Sequence, residues 1–202
     1  MRRILCLLGC ATATSIAVAG PLAAQGPRWG LLIGRSLVGG GDSRTLVGSA
    51  VTGADQAGLH LRAFADLPLE ATPLSLRAEI FYNRLTSGPN TFDAGVNGKA
   101  ALVDQTIGLT GSLVATPSRR SAVAPYFSLG AGVFTTRLGH NPDPQSTQIT
   151  STYRGMGLGL AAGGGVRVRL GRPTLLVDWR YYQALYNTRG SSFMPLSIGL
   201  AF

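Results

Sequence analysis

From Trp29 onward, apolar residues alternate with polar or small ones at a period of two, the signature of strands with one buried or lipid-facing side. The longest run places Met156, Leu158, Leu160, Ala162, Gly164, Val166, Val168 and Leu170 on one face, against Gly157, Gly159, Ala161, Gly163, Gly165, Arg167 and Arg169 on the other. A second run sets Met194, Leu196, Ile198, Leu200 and Phe202 against Ser197, Gly199 and Ala201. The same rule gives strands around Trp29–Ile33, Leu59–Asp66, Leu74–Asn83, Thr106–Leu113, Phe127–Phe134 and Leu175–Tyr182, eight in all. No apolar run reaches the ~20 residues that a membrane-spanning helix needs.

The connections between these strands alternate in length. Leu67–Pro73, Thr116–Ala122 and Gly171–Pro173 are short, whereas Val38–Ala54, Leu85–Ala101 and Leu138–Tyr153 are long and polar, with a shorter connection from Tyr186 to Ser191. Short turns at one end, longer loops at the other and an even strand number form the plan of a transmembrane β-barrel. Closure follows because an open sheet edge in lipid would leave its N–H and C=O groups unpaired. The competing plan is a water-soluble eight-stranded barrel with its apolar face turned inward. It would need a charged outer coat, and the second face here is mostly Gly, Ala, Ser and Thr, better suited to filling a narrow lumen.

Composition adds two points. Of 202 residues 28 are Gly and only 13% are charged, while the 45% hydrophobic fraction excludes a disordered or collagen-like chain. Residues 1–24 read as a secretory signal peptide: Arg2 and Arg3, an apolar stretch from Ile4 to Ala19, then small residues up to Ala24. The single barrel domain is then expected over 25–202. Both cysteines, Cys6 and Cys10, fall inside the leader, which leaves the mature chain without a thiol.

With Pro125-Tyr126-Phe127-Ser128-Leu129-Gly130-Ala131-Gly132-Val133 and the final Leu196-Ser197-Ile198-Gly199-Leu200-Ala201-Phe202, the chain resembles the eight-stranded outer-membrane barrel family that includes the transmembrane domain of outer membrane protein A. The resemblance covers Trp29 to Phe202. It implies an all-β, eight-stranded antiparallel up-and-down barrel in the cell outer membrane of a Gram-negative bacterium. It also implies that Leu196, Ile198, Leu200 and Phe202 act as the recognition signal for the barrel assembly machinery. The peptidoglycan-binding role of two-domain members is not carried over.

The net charge is +9, from 18 Lys+Arg against nine Asp+Glu, and Lys99 is the single lysine. Parity divides these charges into two sets. Arg62, Arg77, Arg167, Arg169 and Arg180 face inward with Asp66, Glu79, Asp104 and Asp178, which predicts a paired network inside the lumen, since buried charges must be compensated. A narrow, anion-preferring conduit is the functional alternative. Arg35, Arg84, Lys99, Arg137 and Arg154 have outward parity near the long-loop side and predict a cationic ring, opposed by Asp55. Such a ring would either snorkel to water or hold the phosphates of lipopolysaccharide.

Little in the chain suggests catalysis. Gly157-Leu158-Gly159 lies within a strand and has no helix after it to receive a phosphate, and His60 and His140, placed on a strand and a long loop, lack metal-ligand spacing. A lipid-modifying enzyme would have to use His140 with a loop serine such as Ser146. No cofactor and no nucleic-acid partner are expected. The expected partners are outer-membrane lipids and the assembly machinery, with the protein a monomer whose role is structural or interactive.

Overall fold

The computed structural model describes residues 27–38, 44–46, 49–51, 56–87, 101–118, 121–141, 150–185 and 191–202. The expected signal peptide, with Lys99, Asp55 and Ser146, lies outside the described residues. Eight long strands close a barrel: β1 (Arg28–Val38), β4 (Gln56–Pro68), β5 (Leu74–Ser87), β6 (Ala101–Ala115), β7 (Val123–Asn141), β8 (Thr150–Arg169), β9 (Thr174–Leu185) and β10 (Ser191–Ala201). Each pairs antiparallel with its chain neighbour, and β1 pairs with β10 to complete the ring.

Two features differ from the sequence expectation. The first long connection contains a small hairpin of β2 (Arg44–Leu46) and β3 (Ser49–Val51), where the sequence pattern suggests an irregular loop. Strands β7 and β8 also run beyond Leu138 and Tyr153, through a register irregularity at Leu138/Gly139, so that His140 is a strand residue paired with Leu102 and Thr150. Pairing persists there because a ribbon rich in Thr, Ser and Tyr keeps its backbone hydrogen bonds in water as well as in lipid.

The register fixes the geometry of the barrel. From Arg35 the directly paired residues run through Leu59, Arg84, Gln105 and Arg137 to Arg154 on β8; in the other direction they run through Leu196 and Trp179 to Gly164 on β8. The two routes therefore meet β8 ten residues apart. Eight strands with a stagger of ten tilt by about 40° and enclose an interior that side chains can fill.

The outer surface is apolar. Met156, Leu129 and Leu158 are 72%, 68% and 67% exposed, and Leu31, Ile33, Leu76, Ile80, Ile107, Leu109, Phe127, Trp179, Ile198 and Phe202 are each about half exposed or more. The inner faces carry Arg, Asp, Glu, Ser, Thr and His, which reverses the arrangement of a soluble barrel. The surface is suited to hydrocarbon, and the closed ladder leaves no barrel strand edge in it.

At the seam, Trp29 and Phe202 exchange backbone hydrogen bonds of 2.8 and 3.3 Å, and their rings lie 4.8 Å apart. The short turns are tightly tied. The Thr116 N–H donates to the Pro73 carbonyl and the Arg169 N–H to the Ala122 carbonyl, both at 2.8 Å, so adjacent turns are bonded to one another as well as internally. In the β4–β5 turn Ala71 holds a φ of 57°, a left-handed conformation that costs a residue bearing a Cβ. Ala71→Gly should raise stability by about 0.5–1 kcal/mol in urea unfolding of the refolded protein, and a loss of stability would show that the turn relaxes in solution.

Candidate functional site: the charged lumen

The interior is built in layers, and each depends on glycine. On β8 the inward face is largely small, and a Cβ at Gly163 would stand 2.7 Å from the Arg180 side chain. A Cβ at Gly159 would run into the Phe134 ring, and one at Gly108 into the Phe81 ring. The glycines leave the space into which the large side chains of neighbouring strands are folded.

Nearest the long loops is an aromatic layer of Phe81, Leu85, Phe134, Ala161, Tyr182, Ala184 and Phe193. Tyr182 and Phe193 stack at 5.0 Å, and Phe81 meets Phe134 edge to face at 5.2 Å. His60 is fully buried among them, 5.7 Å from both Phe81 and Tyr182. Its ring nitrogens, the amide of Asn83 opposite it and the hydroxyl of Ser36 have no hydrogen-bond partner. The sequence places His60 only on a strand, because nothing local shows that three aromatic rings from other strands converge on it.

Below lies the ion-pair network. Arg180 Nη1 contacts both oxygens of Glu79 at 2.5 and 2.6 Å, and its Nε lies 3.2 Å from Asp178. Arg62 Nη2 is 2.6 Å from Asp178, and its Nη1 donates to the Tyr182 hydroxyl at 3.3 Å. The Tyr126 hydroxyl donates to Asp178, and the Thr110 hydroxyl donates to Glu79 at 2.8 Å. Closer to the short turns, Arg77 grips Asp66 with two bonds of 2.5 and 2.8 Å, its guanidinium 4.1 Å from the Phe64 ring centre. Arg167 reaches Asp66 at 3.1 Å and lies over Tyr126 at 4.8 Å. A second apolar cluster, Leu32, Phe64, Val114, Tyr126, Leu176 and Ala201, packs around this end.

Seven of the nine expected inward charges are brought together: Arg62, Arg77, Arg167 and Arg180 with Asp66, Glu79 and Asp178. The other two are elsewhere. Arg169 is exposed at the short-turn mouth, because the last residues of β8 stand beyond the packed interior. Asp104 is buried at the opposite end, where the Thr106 hydroxyl lies 3.4 Å from it. Tyr126, Tyr182 and Thr110 join the network although charge counting could not find them; their inward parity on strands is the available signal.

The outward arginines do not form a level ring. Arg35, Arg84, Arg137 and Arg154 lie on one line of register, with Leu59 and Gln105 between them. Because the strands tilt, that line rises toward the long loops by roughly 3 Å per strand, so Arg154 stands about 15 Å higher than Arg35. Arg35 and Arg154 are exposed, and Arg84 and Arg137 are half-buried. Leu196, Ile198, Leu200 and Phe202 all lie on the lipid-facing surface.

Removing one member of a buried pair strands the other. Arg180→Met should cost about 3–5 kcal/mol in urea unfolding, and adding Glu79→Gln should recover at least half of the loss. A double variant no more stable than the single one would show that the pairing does not govern the burial of Glu79.

Comparison with known proteins agrees with this architecture. No family model and no curated protein sequence matches the chain. Among solved structures, a major outer membrane protein of Thermus thermophilus superposes with a TM-score of 0.53 at 16% identity, over 88% of this chain and 99% of that one. Neisserial surface protein A gives 0.49 at 17% identity over 87% and 94%, and the Yersinia pestis attachment invasion locus protein, solved with the heparin analogue sucrose octasulfate, gives 0.46 at 16% over 87% and 99%. At these identities the likeness is one of fold, and with the closed barrel and its apolar exterior it identifies the chain as an eight-stranded β-barrel of the bacterial outer membrane.

Proposed function

We propose that this protein is a closed, non-catalytic scaffold that presents its long loops at the cell surface and contributes to outer-membrane integrity. The observation that carries this reading is the double filling of the lumen. An aromatic layer and a charge-paired layer lie in series, and Phe134, Tyr182, Phe193, Arg77, Arg180 and Glu79 are each at most 2% exposed. Ions crossing such an interior would have to break pairs of about 2.5–2.6 Å and displace packed rings at the same time. That argues against the anion-conduit alternative, since the arginines such a conduit would need are already neutralised. The protein should show no steady conductance in planar bilayers at moderate voltage. Stable anion-selective steps that vanish in Arg62→Gln would overturn the closed-scaffold reading.

The inclined arginine row supports a second role, binding of lipopolysaccharide phosphates. Paired strands lie about 4.8 Å apart, so Arg137 and Arg154 are one strand spacing apart and the other neighbours two. Guanidinium groups at such intervals can grip several phosphates with planar, paired donors. Replacing Arg35, Arg84, Arg137 and Arg154 by Gln should weaken lipopolysaccharide binding by the refolded protein at least tenfold and flatten its salt dependence. Unchanged binding would leave these side chains with snorkelling alone. The role of Leu196, Ile198, Leu200 and Phe202 in recognition by the assembly machinery is part of the same proposal, supported by their unbroken lipid-facing display.

A further inference from the structure

The end of the barrel opposite the long loops holds a cavity of about 340 Å³ lined by Arg28, Asp66, Ser75, Thr116, Arg167 and Arg169 among others. We infer that this mouth is a binding site for a phosphate oxyanion, separate from the arginine row on the outer surface. Charge is the first ground. Three arginines line the cavity against one carboxylate, and Asp66 is already held by two bonds from Arg77 and one from Arg167. The lining therefore presents an excess of positive charge to whatever enters.

The second ground is a pair of polar atoms that the protein leaves unused. Thr116 is 2% exposed and its hydroxyl has no hydrogen-bond partner. Arg167 spends Nη2 on Asp66, but its buried Nε has no partner. Buried polar atoms are normally satisfied, so two orphans in the wall of one cationic cavity indicate an external acceptor. A phosphate fits both, because its oxygens can accept from the Nε edge of a guanidinium and from a hydroxyl at once.

The third ground is rigidity. Arg167 lies over the Tyr126 ring at 4.8 Å, and Tyr126 is tied to Asp178. The frame is fixed by the Thr116 N–H to Pro73 carbonyl bond and the Arg169 N–H to Ala122 carbonyl bond, so the donors are held in place before binding. Preorganisation of this kind lowers the entropic cost of capturing a small anion. In an outer-membrane barrel the short turns face the periplasm. The phosphate could therefore arrive as a soluble ion or as the headgroup of an anionic phospholipid in the inner leaflet.

The test uses the chain refolded in dodecyl maltoside, a detergent without phosphate. The Arg167 Nε–H resonance is followed by NMR while inorganic phosphate, and separately monomeric dihexanoyl phosphatidylglycerol, are added. A saturable shift is expected with at least one of them. Thr116→Val should weaken it at least fivefold, and Arg154→Gln at the far end should leave it unchanged. Thr116→Val keeps the shape of the side chain, and retained heat-modifiable migration confirms that the variant is folded; Arg167→Gln assigns the resonance. Saturation with inorganic phosphate identifies a soluble source, and saturation with the lipid alone identifies a headgroup. No saturable shift with either probe, or a shift that Thr116→Val does not weaken, overturns the proposal.

Discussion

Most of this structure follows from the size of its interior. Eight strands with a register stagger of ten close at a single narrow diameter, and no solvent-filled core of useful width remains inside. Every inward side chain must therefore be accommodated against those of the facing strands. The alternation of large and absent side chains is the solution: Gly159 lies under Phe134, Gly163 beside Arg180, and Gly108 under Phe81. The glycine content, which would weaken an ordinary sheet, is a packing requirement here.

The same narrowness decides how charge is handled. An arginine that enters such a lumen loses its water and must find acceptors at once, and the acceptors come from strands far apart in sequence. Glu79 on β5 receives Arg180 from β9, while Asp66 on β4 receives both its cross-strand neighbour Arg77 and Arg167 from β8. Breaking the network leaves unpaired charge in a dry interior, so the network favours the single register that satisfies it. Aromatic rings then complete the seal toward the long loops, with Tyr182 belonging to both layers through its ring contacts and its hydroxyl.

Outside, lipid replaces packing as the constraint, and polar groups are placed by their height relative to the hydrocarbon. The tilt converts a simple line of register into a climbing row of arginines, so residues that look equivalent by parity meet the membrane at different depths. Arg35 has Leu37 beyond it on its strand and must extend toward the interface, whereas Arg154 starts well above it. The two barrel ends differ chemically as a result. One carries the long loops and the top of the row, and the other a compact cationic mouth framed by short turns.

Period-two alternation made the eight barrel strands, their lipid-facing residues and most inward charges legible in the sequence, because strand geometry sends alternate residues to opposite faces whatever the neighbours are. Connection length likewise gave the order of short and long ends. Parity could assign Arg169 and Arg180 to the same side, but not that one lies at the mouth and the other meets Glu79, since depth along the axis depends on the stagger between strands. For the same reason the arginine row was legible as a set but not as an incline, and His60 as a strand residue but not as the centre of an aromatic cluster. The short hairpin in the first loop and the extension of β7 and β8 past His140 rest on backbone pairing that carries no hydrophobic period. Alternation along each strand thus determined which way every side chain points, and only the closed barrel, by setting the register between strands, decided which side chains meet.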